Sequence, residues 1–162
     1  MATPLGDFFR HNLWANLRLI DALAALDAVH LADSAAGTYG SIHATLVHMA
    51  VAEERYLSRL VGEPRGESWH EAATPDLATL RAHLETSGTA FIAYAEGFTP
   101  GGTLAIDYDG PILTIPTTIL LIQAINHATE HRTNITTILA QHNLLPSPEL
   151  DGWMYGDPRV GE

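Results

Sequence analysis

The chain contains no cysteine, only 8 lysines and arginines against 19 acidic residues, and no long unbroken apolar run. Each shortage removes a class of protein. Without cysteine there can be no disulfide, no thiolate metal ligand and no cysteine nucleophile, and the expected location is cytoplasmic. The formal net charge of -11 argues against a nucleic-acid partner, because a phosphate backbone is gripped through Lys and Arg. The most apolar stretch, Ile112 to Ile125, is interrupted by Pro116, Thr117, Thr118 and Gln123, and falls short of the roughly 20 residues that a bilayer span needs. The opening MATPLGDFFRHNLWANL has no basic segment leading into a clean apolar run, so no signal peptide is expected. These features lead us to expect a soluble protein without a membrane partner.

What is present reads as one ordinary globular domain over residues 1–162, with 46% apolar and 17% charged residues. Four helical segments stand out. The first spans about Pro4 to Leu26, with Phe8, Leu13, Leu17, Ile20 and Leu23 at helical spacing and Pro4 suited to a first turn. The second runs from an N-cap candidate, Ser41, to about Val61, ended by Gly62 and Pro64. Residues from Gly62 to Pro75 read as loop. The third begins after Thr74-Pro75, carries Leu77, Leu80, Leu84, Phe91 and Tyr94, and stops near Gly97. The fourth extends from about Pro116 to Asn143, before Pro146. Between the third and fourth, two short β-branched runs flank Asp109-Gly110, a pair favoured in tight hairpin turns. The tail from Ser147 to Glu162 reads as irregular. The expected fold is all-α, a four-helix bundle with a short β-hairpin inserted between helices three and four.

Histidine is abundant, with 9 copies, and two of them sit four positions apart in NHATEHR, as His127 and His131. At about 100° per residue, that spacing leaves a net rotation of about 40° and a rise of about 6 Å. Both imidazoles therefore leave one face and can converge on one ion, as in HExxH helices. They share a stripe with Leu120, Ala124 and Ile138, while Leu121, Ile125, Ala128 and Leu139 form another. A helix apolar on two sides is a central one, where imidazoles without partners are costly. Core histidines bonded to carbonyls or waters are the alternative. A third ligand has to come from another helix, and helix two offers His43 and His48, which face about 140° apart. His43 lies near the edge of the main apolar stripe of Ile42, Leu46, Met49, Leu57 and Leu60; His48 lies opposite, beside Ala44, Val51 and Ala52. Periodicity leaves that choice open.

The segments HNLWANLRLIDAL, GSIHATLVHMAVAEERYLSRL and INHATEHRTNITTIL, in this order and spacing, resemble the DinB-like family over essentially the whole chain. In that family a histidine precedes an apolar stretch and a Glu five positions on, here His48 and Glu53, and two more ligands fall on an HxxxHR motif, here His127 and His131, followed by Arg132. The resemblance implies a divalent metal held by His48, His127 and His131, and frequent homodimers. Many members continue HxxxHR with Gly-Gln, where this chain has Thr133-Asn134, which leaves any role of that Gln unassigned here. The family label refers to damage induction, yet nothing in this acidic chain supports DNA binding.

Three neutral imidazoles leave a divalent ion its charge and an open position, a catalytic pattern more than a closed structural one. Zinc suits this donor set first, with nickel or iron as alternatives. Relatives resemble thiol-dependent S-transferases and isomerases that use bacillithiol, mycothiol or glutathione, so the resemblance implies activation of a thiol or a water toward a small-molecule substrate. A non-catalytic metal-binding or oligomerising module and a metal-dependent hydrolase are the competing readings, and whether the chain is an enzyme stays open at this stage. No acid–base partner and no Lys or Arg cluster for a thiol cofactor's carboxylates can be identified.

Glu53 and Arg132 fall on apolar stripes of helices two and four, where a lone charge is expensive. The expectation is that they face each other or nearby polar groups and fix helix register; the alternatives are support of a ligand imidazole or acid–base work by Glu53. Asn16 reads as structural, and Trp14, Tyr56, Trp69, Trp153 and Tyr155 as core or lid residues. His11, His30, His70, His83 and His142 lack partners at ligand spacing and read as surface residues.

Overall fold

The computed structural model describes residues 2–63, 74–107, 110–144 and 147–159. Four long helices are present: α1 (Pro4–Leu23), α2 (Ile42–Val61), α3 (Leu77–Gly97) and α4 (Thr117–Gln141). Each of the first three starts where a short polar side chain meets a free backbone N–H: Thr3 accepts from Gly6, Ser41 from Ala44 and Asp76 from Thr79. Gly62 closes α2 at a φ of +74°, a left-handed turn that glycine adopts without strain. Helix α1 ends three residues earlier than its apolar spacing suggests, because Asp27 caps a separate 3-10 turn over Ala28–Ala32. No helix among the described residues is long and apolar enough to cross a membrane.

Strands β1 (Thr103–Asp107) and β2 (Ile112–Pro116) pair antiparallel, with Asp107 opposite Ile112. The hairpin sits where the sequence places it. Of its turn pair, Gly110 has a φ of +127° and donates its N–H to Asp107 Oδ1 at 3.0 Å, while Asp109 lies outside the described residues. So do Pro64, Trp69, His70 and Pro146. The Thr117 N–H donates to the Gly102 carbonyl at 2.9 Å and ties the hairpin to the start of α4. The tail contains one further turn, α5 (Gly152–Gly156), where the sequence suggests irregular chain; Asp151 caps it through the N–H groups of Trp153 and Met154.

In the bundle α1 packs mainly on α3, and α2 on α4. The α1–α3 approach is close: a Cβ at Gly88 would stand 2.7 Å from Leu13 Cδ1. The core comes in two parts. One gathers Leu19, Leu23, Leu46, Leu80, Leu84, Ile135 and Ile138. The other gathers Phe9, Leu60, Phe91, Leu120 and Leu121, with the rings of Phe9 and Phe91 stacked 4.9 Å apart. Between these parts every helix contributes a buried polar side chain: Asn12 and Asn16 from α1, Glu53 from α2, Ser87 from α3 and Arg132 from α4. Those two asparagines occupy the inward face of α1, so the helix is rotated from its apolar pattern and Phe8 is left 62% exposed.

Candidate metal centre

Helices α2 and α4 lie side by side at mid-height, and each turns imidazoles toward the other. His48 Nε2 stands 3.0 Å from His127 Nε2, and His131 Nε2 stands 3.1 Å from the same atom. Ligand-capable atoms of all three residues lie within 4.8 Å of one another. Two nitrogens bound tetrahedrally at the usual zinc distance would be about 3.3 Å apart, a few tenths of an ångström from the observed spacing. Hydrogen bonding cannot satisfy this arrangement by itself. Each neutral imidazole has one proton to give and one lone pair to receive with, so His127 Nε2 cannot serve both neighbours well, whereas a cation at the meeting point accepts all three lone pairs.

The surroundings keep the imidazoles in the form a metal needs. Burial, with the rings of His131 and His48 alongside, pushes His127 down from 6.5 to about 4. Burial and His48 also lower His131, against the opposing pull of Glu130. Both are therefore neutral at pH 7 and carry free lone pairs. His131 Nδ1 is sealed from solvent with no acceptor among the described residues.

Aromatic rings hold the cluster. Tyr39, in the loop before α2, stacks on His48 with centroids 4.1 Å apart and meets His131 edge-on at 5.1 Å. Its own N–H donates to Asn134 Oδ1 at 3.0 Å, and Asn134 Nδ2 donates in turn to the Glu130 carbonyl. Tyr56 presents its ring edge-on to His127 at 5.7 Å and accepts from Gln123 at 3.4 Å. Tyr39 and Asn134 are neighbours of the cluster that the sequence does not reveal, because Tyr39 sits among turn residues and Asn134 reaches it only through the Tyr39 N–H. A cavity of about 260 Å³ opens beside Tyr56, lined also by Arg59, Ile106, Ile115, Ile119, Leu120 and Gln123.

The other candidates fall elsewhere. His43 Nε2 donates to the Pro75 carbonyl at 2.7 Å and so fastens the start of α3. Glu53 points away from the imidazoles: Ser87 Oγ donates to its Oε1, and Asn16 Nδ2 to its Oε2 at 3.3 Å. Burial pushes its carboxyl up from 4.5 to about 7, against the hydrogen bonds and the Arg132 charge. Arg132 donates to Asn12 and Asn16 at 2.7 Å each and to Thr129 at 2.9 Å. These contacts match the first of the three readings of Glu53 and Arg132, polar partners that fix register, with Asn16 as the shared neighbour. The remaining histidines are less free than surface residues. His11 donates to Leu150 and touches Trp14 and Tyr155, His30 pairs with Asp33, His142 reaches the Ser34 carbonyl, and burial lowers the half-buried His83.

The sequence profile of the DinB family matches residues 1–149. Among solved structures, a DinB-like protein from Bacillus cereus ATCC 10987 superposes with a TM-score of 0.66 at 21% identity, covering 86% of this chain and 91% of that one. At that identity the likeness speaks to the fold alone. No curated protein matches the chain.

Proposed function

Starting from a chain that belongs to the DinB family, we propose that it is a metal-dependent enzyme in which His48, His127 and His131 hold one divalent ion, zinc by first preference and nickel or iron otherwise. The observation that carries this reading is the convergence of three Nε2 atoms at 3.0 and 3.1 Å from neighbour to neighbour. A divalent ion in this neutral donor set keeps its full charge, and so lowers the pKa of a bound thiol or water enough to supply a nucleophile near neutral pH. The histidines would hold the ion through Nε2; Tyr39 and Tyr56, packed against the rings of His48 and His127, fix their planes.

A thiol is favoured over a water as the activated group. Hydrolysis profits from a carboxylate base aimed at the bound water, and Glu53, the carboxylate at family spacing, is committed to Ser87 and Asn16. Transfer of a thiolate to an electrophile needs no such base. The activity proposed is accordingly a thiol-dependent S-transferase acting on a small-molecule electrophile in the cytoplasm.

The active species is a homodimer that pairs through the apolar face around Phe8, Ile119 and Ile122, which are 62%, 47% and 53% exposed. Metal analysis of the purified protein, followed by thermal-shift titration with low-molecular-weight thiols, tests the enzyme reading. A protein that takes up one ion per chain and is stabilised by a thiol only when loaded supports it; a loaded protein indifferent to every thiol points to a non-catalytic module.

A further inference from the structure

A second cleft lies between α1, α4 and the C-terminal tail, on a face of α4 different from the one that carries the imidazoles. Its volume is about 320 Å³, room for about ten water molecules at liquid density. His11, Thr129, Arg132, Thr133, Leu150 and Asp151 are among its walls. Arg132 is the exceptional one, an arginine only 4% exposed as a residue. All of its hydrogen-bond partners, Asn12, Asn16 and Thr129, are neutral. Among the described residues no carboxylate comes within ion-pair distance of it. Nη1 spends both protons on the two asparagines and Nη2 one on Thr129, which leaves the Nε–H and one Nη2–H without a protein acceptor among the described residues. Nε is also not among the atoms sealed from solvent.

Glu53 acts on this cation only through space, across Asn16 and without a salt bridge; a buried cation so incompletely neutralised is costly unless something completes it, and two free N–H groups in the guanidinium plane suit a carboxylate. The cleft is larger than a bare inorganic anion needs, and Pro148 and Leu150 supply apolar wall. At its rim Asp151 receives both Trp153 and Met154 N–H groups on Oδ1, so that Oδ2 accepts from no donor among the described residues. We infer that this cleft is a binding site for a small organic acid that carries a hydrogen-bond donor beside its carboxylate, an amino or hydroxy acid, with the carboxylate on Arg132 and the donor facing Asp151. The site is independent of the metal reading, since none of its lining residues is one of the three histidines.

The test is ligand-observed NMR on the full chain with glycolate, lactate, glycine and alanine, each against its uncharged amide at matched ionic strength. At least one acid should bind while its amide does not. Thr133 is exposed and its hydroxyl bonds only the Thr129 carbonyl one turn back, so Thr133→Glu should fold normally yet weaken binding roughly tenfold by placing a like charge at the cleft. Thr133→Gln should bind as the unaltered chain does. Failure of every acid, equal binding of acid and amide, unchanged binding in Thr133→Glu, or full displacement by equimolar sulfate would each overturn the assignment.

Discussion

Glu53 and Arg132 lie in the same buried layer without forming an ion pair; Asn16 stands between them, giving its amide proton to one and its carbonyl oxygen to the other at 3.3 and 2.7 Å. One neutral side chain therefore satisfies two buried charged groups on different helices. Replacing it by Ala orphans both ends at once, and such losses are large when the groups are buried. Asn16→Ala should lower unfolding stability by about 2–4 kcal/mol, measured by urea titration. A loss below about 0.5 kcal/mol, the size of an ordinary surface change, would contradict the bridging role.

Burial raises the Glu53 carboxyl from 4.5 to about 7, and the sign of its pH effect follows. The folded state holds this proton more tightly than the unfolded state does, so the Glu53 contribution to stability is fullest below about pH 4.5 and falls as pH rises to about 7. The total is on the order of 3 kcal/mol. Glu53→Gln removes the titration while keeping the shape. The stability difference between the original chain and this variant should decline across that window and level off above it, and a difference constant from pH 4 to pH 8 would refute it.

His48→Ala should leave a two-ligand site with metal affinity reduced at least about a hundredfold. His43→Ala should leave uptake intact and cost about 1 kcal/mol of stability through its lost bond to Pro75. Metal content after gel filtration, with thermal unfolding alongside, separates the two effects. The assignment of His48 fails if the His43 variant is the one that loses the ion.

Protons compete with a metal for the imidazole lone pairs. Since burial holds His127 near 4 and lowers His131, the bound ion should survive below the ordinary histidine value of about 6.5 and be released as pH falls toward about 4. Release complete at pH 6 would contradict the buried, neutral state of these rings.

Asn134→Ala removes the acceptor of the Tyr39 N–H without touching an imidazole. Its expected signature is faster metal loss to a chelator with little change in thermal stability, followed by stopped-flow absorbance. An unchanged release rate would show that the tether does not hold the Tyr39 ring on His48.

Much of this fold can be read from period and punctuation. Ser41 and Gly62 bracket α2 within a residue, and the β-branched runs around Asp109-Gly110 locate the hairpin. The short elements at Ala28–Ala32 and Gly152–Gly156 escape periodicity because one turn has no period, although Asp27 and Asp151 are the caps that signal them. The face of α1 is misread for a different reason: Asn12 and Asn16 point inward to serve Arg132, and an apolar pattern cannot register a buried asparagine. At the candidate centre, the spacing of His127 and His131 is legible alone. The choice of His48 over His43 needed the family pattern, since both lie on α2 and only their partners, His127 for one and Pro75 for the other, tell them apart.

His48 and His127 are 79 positions apart along the chain, and the chain has no cysteine. An ion shared between them would close a loop of that length, a topological constraint that disulfides impose in other small domains. Unlike a disulfide, the ion leaves when its ligands part, so it would stabilise the folded chain by mass action, through the ratio of free metal to its dissociation constant. The same four atoms would then serve twice, as a metal centre and as a clasp between α2 and α4 in the folded protein. Chelation would accordingly unfasten half the sequence from itself, and the concentration of free metal in the cell would set how long the chain stays folded as well as how fast it reacts.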